Sequence, residues 1–373
     1  MNAQAFIVPY DPAGREDYVA YYRKAIAEFV SRTGGSYAEV SVVRCPATLR
    51  FLRRAHDSYR VGKTLRRLKP VYERTIDLLA RVIGGRPRQA PGMVGGMTTG
   101  LLFQRPDGIE VSVAIDLLDS GDLDSPRALA ACDLYFKSSY GKDRVYPEKV
   151  VPLYQCSFLL VDGMDRIRAL RSAPKDYDLC FTTRVWGGSN DTEGIEHNLR
   201  ILEALAKVHC RKYLRAYLVA GDRTSYARRL DRRGIPWSLD PLPWSEHWKV
   251  LAGSRLNVHR LGMHRSATWR MTELQCMGAC PVLDQHPVTL WPAPLREHEH
   301  YLTLDVTPPP GQWIAPDAGY EAIPERVIQL LSDPIAIERI AANNQAYFDQ
   351  YLEPYALGRQ ICERVLNVQA AQV

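Results

Sequence analysis

Short apolar runs alternate with amphipathic stretches along the first half of the chain. Strand-like runs stand at residues 5–9, 37–43, 100–103, 111–115 and 134–136. Residues 16–31 repeat apolar positions at helical spacing, and Gly34 and Gly35 end that helix. Strands separated by helices in this way predict a layered α/β domain.

The alternation is more regular in the second half. Predicted strands cover residues 177–182, 214–220, 255–259 and 280–283, and predicted helices cover residues 192–208, 224–233, 245–252 and 266–277. Helices of this length between strands predict a parallel, doubly wound sheet with right-handed connections. The pattern changes between residues 155 and 176. We therefore expect one domain over 1–165, a second over 166–350, and a last helix over 351–373 that packs back on the first domain.

The composition is that of a soluble globular protein large enough for two domains. The 373 residues are 46% apolar and 24% charged, and chains of more than about 250–300 residues usually divide into domains. The apolar runs are too short to cross a bilayer, and the N-terminus has no signal-peptide pattern. The eight cysteines form no Cys-x-x-Cys pair, which is typical of reduced thiols rather than of a zinc site. We expect a cytoplasmic protein with no structural metal and no transmembrane segment.

Positive charge is concentrated in one segment of the first domain. Residues 44–88 hold thirteen lysines and arginines against three acidic residues, a charge of +10, so with a net charge of +6 the rest of the chain carries −4. The segment contains two arginine pairs, Arg53 with Arg54 and Arg66 with Arg67. Such asymmetry indicates an anionic partner: a membrane surface, a nucleic acid or a phosphorylated acceptor. A solvated helix face explains the same pattern equally well.

The most informative stretch is residues 254–284, which follows the order strand, loop, helix, strand. Ser266 stands where a helix N-cap is expected, and Gly278 stands where the helix ends. At about 100° per residue, Ser266, Arg270 and Glu273 share one face of that helix, while apolar residues on another face pack on the sheet. The stretch predicts a compact βαβ unit that presents a hydroxyl, a guanidinium and a carboxylate.

Residues 273–282 read Glu-Leu-Gln-Cys-Met-Gly-Ala-Cys-Pro-Val. This resembles the nucleotide-sugar site of GT-B glycosyltransferases, closest to the glycosyl transferases group 1 and the spore-maturation-type proteins, with Glu, Gly, Pro and Val in register. The resemblance covers roughly the last 200 residues and implies two Rossmann-like domains facing a central cleft. It also implies that Glu273 binds the ribose hydroxyls of the nucleotide, because an ionised carboxylate accepts two hydroxyl hydrogen bonds. Many group 1 enzymes carry another Glu seven residues earlier, where this chain has Ser266, so the retaining subgroup stays open.

The loop after the first strand of the second domain is the candidate phosphate site. It holds Arg184, Gly187 and Gly188 between a strand and a helix, where backbone amides and a helix N-terminus meet an anion. The glycines allow close approach of the backbone, and Arg184 would neutralise a diphosphate. A flexible connection is the alternative, because the loop has neither dinucleotide-binding nor Walker spacing. Leu242 and Trp244 are the expected contacts to the nucleobase.

Four basic side chains stand in the loop before the Glu273 helix. They are His259, Arg260, His264 and Arg265, and as a cluster they would stabilise the charge of a departing diphosphate without a metal ion. Residues 296–300, Arg-Glu-His-Glu-His, superficially suggest metal ligands. Since a lone His-x-His pattern is a weak signal, we interpret that stretch as a solvated loop.

The acidic residues 116–124 offer candidates for a general base and for a metal site. Asp116 ends an apolar strand and is our prediction for the general base, with His56 of the basic segment as a weaker candidate. Asp122 and Asp124 resemble the metal-binding DxD pattern of GT-A transferases. Asp124 with the Ser-Pro that follows it is also a good helix start, which we favour.

These features predict a metal-independent glycosyltransferase. The resemblance implies a nucleotide-sugar donor, UDP- or GDP-linked, as a substrate against the second domain, and no cofactor. The acceptor enters from the first domain and is expected to be a surface polysaccharide or a lipid-linked glycan, with the basic segment peripheral at an anionic membrane. One alternative is a DNA-modifying glycosyltransferase that acts on a hydroxylated base and contacts the duplex through the same charges. Another is a non-catalytic GT-B-like protein that binds a nucleotide or a partner.

Overall fold

The computed structural model describes residues 4–7, 16–39, 97–185, 192–218, 223–262, 264–309 and 312–368. Within these residues the chain forms two six-stranded sheets and one two-stranded ribbon. Helices lie beside both sheets, so the predicted α/β class is confirmed. None of the helices in the described ranges is long and apolar enough to span a bilayer.

The first sheet is mixed and is built from the first 152 residues. Its strands are β1 (Gln4–Ile7), β2 (Ser36–Glu39), β3 (Thr98–Gln104), β4 (Glu110–Asp116), β5 (Leu134–Lys137) and β7 (Val150–Pro152), in the order β2-β1-β3-β4-β5-β7. Only β3 runs antiparallel to its neighbours. The helix α1 (Glu16–Arg32) buries Tyr22, Ile26 and Phe29 at helical spacing. A short α2 (Pro126–Ala131) precedes β5, and α3 (Leu160–Arg168) leads out of this unit.

The second sheet is parallel throughout, as the sequence predicts. Its strands are β8 (Tyr177–Val185), β9 (Lys212–Leu218), β10 (Trp237–Ser238), β11 (Ser254–His259), β12 (Pro281–Leu283) and β14 (Leu302–Thr303), in the order β10-β9-β8-β11-β12-β14. The accompanying helices are α4 (Thr192–Ala206), α5 (Arg223–Asp231), α6 (Trp244–Ala252), α7 (Arg270–Met277), α8 (Asp317–Glu321) and α9 (Ile323–Leu331). Counted along the chain the strand order is 3-2-1-4-5-6, that of dinucleotide-binding folds. The order reverses between β8 and β11, and ligands of such sheets bind beyond the strand ends at that point.

Two connections join the sheets. The strands β6 (Tyr140–Gly141) and β13 (Thr289–Leu290) pair antiparallel, one from each unit. At the C-terminus, α10 (Pro334–Tyr347), a π-helical turn (Phe348–Leu352) and α11 (Pro354–Leu366) lead back, and α11 lies along α1. Gly358 makes this contact close, because a side chain there would collide with the carbonyl of Ala25. The last helix therefore packs on the first unit.

The helix α7 departs from the predicted pattern. Its first helical residue is Arg270, not a residue next to Ser266, and residues 271–277 are all buried. Gly278 ends the helix in the left-handed conformation (φ +66°), as the sequence predicts. The helix packs against α3, α6, α10 and the π-helical turn, so its residues after Arg270 have no solvent face to present. The two-faced helix that the sequence predicts is therefore wrong.

Candidate functional site

A cavity of about 300 Å³ opens at the carboxyl ends of β8 and β9, next to the point where the strand order reverses. Its lining comes from these strands, from the loop before α6 and from the starts of α6 and α7: Thr182, Thr183, Arg184, Tyr217, Pro241, Leu242, Pro243, Trp244, His247 and Arg270. The cavity brings together four residues that the sequence predicts for the donor, namely Arg184, Leu242, Trp244 and Arg270.

The described lining of the cavity is positively charged. Arg184 and Arg270 both line it, and no acidic residue is among its described lining. Arg184 is exposed and forms no ion pair with any residue that the structure describes. Arg270 donates from Nη1 to Nε2 of His247 at 2.9 Å. Burial, and then the charges of Arg270 and Arg184, lower the pKa of His247 to about 3, so this ring is a neutral acceptor. The arrangement favours an anionic ligand.

Aromatic side chains form one wall of the cavity. The Trp244 ring lies 6.1 Å from the Trp269 ring and 6.0 Å from the His247 ring, both at steep angles. Trp269 in turn contacts Phe158 of the segment between the two sheets, at 5.6 Å. Flat, rigid side chains of this kind offer a face to a planar ring at low entropic cost. The wall suits a nucleobase, with the two arginines placed for its phosphates.

The loop that follows β11 supplies a second patch of positive charge. The guanidinium of Arg260 lies 5.9 Å from the centre of the Trp313 ring, and its Nη2 is buried without a hydrogen-bond acceptor among the described residues. His264 is exposed and lies 6.3 Å from the same tryptophan ring. A buried N–H without an acceptor is costly. Arg260 and His264 are therefore retained as candidate ligands of a phosphate group.

Two other residues of this loop are occupied within the protein. His259 bonds through Nε2 to the Thr268 hydroxyl at 2.7 Å, and burial lowers its pKa to about 3. Arg265 has a left-handed backbone (φ 55°), and its Nη2 donates to the carbonyls of Pro309 at 3.1 Å and Gln312 at 2.9 Å. The prediction that all four basic residues face a diphosphate is therefore wrong for His259, whose ring is neutral. Arg265 keeps its positive charge, because its partners are neutral carbonyls, but these bonds hold its Nη2 against residues 309 and 312.

The position of Glu273 differs from the predicted ribose-binding role. The carboxylate is fully buried, with Oε1 accepting from the Ser157 hydroxyl at 2.7 Å and Oε2 accepting from the Trp248 indole at 2.9 Å. Burial raises the pKa of this carboxyl. A carboxylate enclosed in this way cannot reach a ribose without giving up both bonds. The predicted exposed position is wrong, because α7 has protein on every side.

Ser266 also differs from its predicted role as a helix cap. Its hydroxyl bonds to Oδ1 of Asp119, which follows β4 in the first unit. Gly262 makes room for this contact, since a Cβ there would lie 2.6 Å from both Oδ2 of Asp119 and the Ser266 hydroxyl. Burial raises the pKa of Asp119, and the hydrogen bond from Ser266 partly offsets that shift. Asp119 is thus a carboxyl group of the first unit that lies against the loop between β11 and α7 of the second unit.

Asp116, the predicted general base, is enclosed in the first unit. It is fully buried and forms an ion pair with Lys137 at 3.1 Å. Its other oxygen accepts from the Tyr135 hydroxyl at 2.7 Å and from the Asp124 amide at 3.0 Å. Both oxygens of this carboxylate are bonded within the first unit, so neither is free to contact an acceptor hydroxyl. The structure therefore argues against Asp116 as the base.

The DxD carboxylates are also occupied. Asp122 pairs with Arg144 at 2.5 Å, and Asp124 accepts from the Met97 amide at 2.6 Å and from the Thr98 hydroxyl at 2.9 Å. The helix α2 begins at Pro126 with Ser125 as its N-cap, so the predicted helix start is confirmed. Seven predicted site residues lie outside the described ranges: His56, Arg53, Arg54, Arg66, Arg67, Gly187 and Gly188.

Sequence reasoning missed Asp119, His247 and Trp313. Asp119 stands three residues beyond the end of β4, within the acidic run that drew attention to Asp116. Its position after a strand end was the available signal, since ligands gather at that edge of an α/β sheet. Nothing in the sequence near His247 marks it, because its importance comes from Arg270, 23 positions away.

Comparison with solved structures gives matches of low sequence identity and low TM-score. No protein-family model matches the chain, and no curated protein matches it. A glycosyltransferase from Rickettsia africae is 9% identical, with 98% of each chain covered and a TM-score of 0.47. HepE from Anabaena, in complex with UDP and glucose, is 10% identical, with 98% of this chain and 99% of that chain covered and a TM-score of 0.46.

TarM from S. aureus, in complex with fondaparinux, α-GlcNAc-glycerol and UDP, is 9% identical, with a TM-score of 0.43. That match covers 67% of this chain, which spans 48% of the TarM chain. The fold itself is read from the two sheets described above. Two α/β units meet where Asp119 contacts Ser266, the second has a dinucleotide-fold strand order, and the last helix returns to the first unit. This arrangement agrees with the GT-B fold that the sequence predicts.

Proposed function

We propose that the chain is a glycosyltransferase that moves a sugar from a nucleotide-sugar donor to a hydroxyl acceptor. One observation carries the proposal: a cavity with two arginines, a tryptophan wall and no acidic residue in its described lining lies next to the reversal point of the second sheet. Such a cavity fits a nucleoside diphosphate, whose phosphates need cations and whose base needs a flat apolar wall. The first unit contributes Asp119, which lies against the loop between β11 and α7; Arg270, at the start of α7, lines the cavity.

The transfer reaction divides among the described residues as follows. The acceptor oxygen forms a bond to the anomeric carbon of the donor sugar, and the bond from that carbon to the diphosphate oxygen breaks. Asp119 takes the proton of the acceptor hydroxyl, and its half-buried position and raised pKa suit a proton acceptor. The leaving nucleoside diphosphate keeps the electron pair, and Arg184, Arg260 and Arg270 stabilise its charge. No step in this scheme needs a metal ion.

The acceptor would enter from the first unit, on the side of Asp119. We propose a surface polysaccharide or a lipid-linked glycan as the acceptor class. The basic segment of residues 44–88 would contact an anionic acceptor or an anionic membrane surface. Because this segment lies outside the described residues, its support is the charge count of the sequence alone. A cytoplasmic protein that is peripheral at the membrane agrees with this acceptor.

The proposal is tested by nucleotide binding and its dependence on the cavity arginines. Thermal shift against UDP, GDP, ADP and their sugar conjugates should single out one nucleobase, since binding to the folded state raises stability. The variant Arg270→Met should weaken that nucleotide at least tenfold, because a charge-assisted hydrogen bond is worth about 1.5–3 kcal/mol. The matched control is Arg215→Met, at an arginine of β9 that does not line the cavity. Absence of any nucleotide shift, or equal loss in both variants, would refute the proposal.

A further inference from the structure

Three side chains of the types that bind metal ions lie together beyond the carboxyl ends of β12 and β14. His286 follows β12, Glu297 lies in the loop between β13 and β14, and Asp305 follows β14. One donor atom from each of the three lies within 4.8 Å of the others. We propose that His286, Glu297 and Asp305 bind a divalent transition-metal ion of the zinc type. None of the three lines the donor cavity, so the ion would be separate from the proposed transfer reaction.

The distances between the donor atoms fit a single ion. Oε2 of Glu297 lies 3.8 Å from Nε2 of His286, and Nε2 of His298 lies 4.0 Å from the same oxygen. Tetrahedral zinc with ligands at about 2.0–2.1 Å holds its donor atoms roughly 3.3 Å apart. Closing the gap takes a shift of about half an ångström between Glu297 and His286. The separations that involve Asp305 are at most 4.8 Å and take a shift of up to about 1.5 Å, in side chains that are exposed or half-buried.

Neighbouring groups orient the donors in the way that metal sites require. Nδ1 of His286 lies 3.3 Å from the Tyr301 hydroxyl, which leaves Nε2 directed at Glu297. A metal-bound histidine usually has its other ring nitrogen held by such a partner. Because Tyr301 is buried, it fixes the ring from the protein side, while the ligand face stays open to solvent.

The two carboxylates of the cluster, Glu297 and Asp305, also favour a bound cation. The Thr303 hydroxyl lies 2.6 Å from a carboxylate oxygen of Glu297 and 2.6 Å from one of Asp305. A hydroxyl has one proton to donate, so it satisfies one of these carboxylates and leaves the other facing an oxygen lone pair. Arg326 partly compensates, with Nη2 at 3.3 Å from Asp305. A dication between the two carboxylates would remove the remaining repulsion.

The type of ion follows from the donor set. Imidazole nitrogen suits zinc, copper, iron and nickel, whereas magnesium and calcium prefer sites made of oxygen alone. A site with an imidazole and two carboxylates therefore selects zinc over magnesium or calcium. The ion would tie together the ends of β12 and β14 and the loop between them, so its expected effect is on stability.

The test uses the full chain, stripped with EDTA and dialysed. Calorimetric titration with Zn²⁺ should show one ion per chain, and Mg²⁺ and Ca²⁺ should show no binding under the same conditions. Saturating Zn²⁺ should raise the melting temperature by about 3–5 °C, since only the folded state holds the three donors together. Tyr301→Phe should weaken Zn²⁺ roughly tenfold or more, as loss of a histidine's hydrogen-bond partner does in metal sites.

Ligand variants decide between a built site and an adventitious ion. His286→Ala and the isosteric Glu297→Gln should each lose the bound Zn²⁺, while circular dichroism shows that both are folded. The control is His209→Ala, at an exposed histidine of the turn before β9, and it should bind Zn²⁺ as the parent does. If the parent binds no Zn²⁺, or if His286→Ala and Glu297→Gln bind it as tightly as the parent, the proposal is wrong.

Discussion

The Ser157 hydroxyl donates a 2.7 Å hydrogen bond to the buried carboxylate of Glu273. Ser157 belongs to the segment that leads from the first sheet to the second, and Glu273 belongs to α7 behind the donor cavity. The Ser157 amide also donates to the Thr272 hydroxyl at 3.0 Å. These bonds attach the inter-sheet segment to the helix that begins with Arg270. Glu273 thus acts in holding the two units together, not in contacting the nucleotide.

We expect Glu273→Ala to destabilise the fold and to leave nucleotide affinity unchanged. The substitution removes the acceptor of a buried indole N–H and of a buried hydroxyl, which should lower the free energy of unfolding by about 2–4 kcal/mol. Urea unfolding measures that loss, and calorimetry of the folded variant measures the affinity. Glu273→Gln keeps the volume and one acceptor oxygen, so its loss should be smaller. A stable Glu273→Ala variant with tenfold weaker nucleotide binding would restore the ribose-binding role.

The sequence predicts this fold well because the second sheet depends on local pattern. Apolar runs such as the one in β8 alternate with helices of suitable length, and that alternation permits few topologies. Part of the donor cavity could also be predicted, since Arg184 and Trp244 stand next to predicted strand and helix ends. The position of Asp119 could not be predicted, because its hydrogen bond with Ser266 joins residues 147 positions apart. The burial of Glu273 could not be predicted either, since it depends on how α3 and α10 pack against α7.

The stability of the protein should fall on acidification because of His247. Its pKa is lowered to about 3 in the folded protein, whereas an unfolded histidine titrates near 6.5. Between these values the unfolded chain binds the proton and the folded chain does not, so stability is lost as the pH falls below 6.5. Between pH 7 and pH 5 this histidine should lower the free energy of unfolding by about 2 kcal/mol.

The check on His247 is urea unfolding of the parent and of His247→Gln at both pH values. The difference between pH 7 and pH 5 should shrink by about 2 kcal/mol in the variant, because glutamine does not titrate. His209→Gln, at an exposed histidine, should keep the parent's difference. An unchanged pH dependence in His247→Gln would mean that the His247 ring takes up its proton in the folded state.

Glycosyl transfer should survive EDTA. The carboxylates of Asp122 and Asp124 are engaged by Arg144 and by groups at the start of β3, respectively, so neither is arranged to hold a metal ion on a diphosphate. Turnover in EDTA should stay within about twofold of the untreated rate, whereas the melting temperature should drop if the His286 cluster holds an ion. Loss of turnover that manganese or magnesium restores, and that Asp124→Asn reproduces, would instead establish a metal-dependent reaction.

Asp119→Asn should abolish transfer while sparing the donor site. If Asp119 takes the acceptor proton, the amide cannot replace it, and kcat should fall by about 10²–10⁴-fold. The dissociation constant of the nucleotide should not change, because Asp119 does not line the donor cavity.

The pH dependence of kcat identifies the titrating group. Burial raises the pKa of Asp119, so the ascending limb of the pH–activity profile should lie above the ordinary range of an aspartate. The hydrogen bond from Ser266 lowers that pKa, and Ser266→Ala should therefore move the limb to higher pH. Asp122→Asn, at an exposed carboxylate paired with Arg144, should keep both kcat and the limb. If Asp119→Asn retains kcat, the proton goes elsewhere; if kcat falls but Ser266→Ala leaves the limb in place, the titrating group is not Asp119.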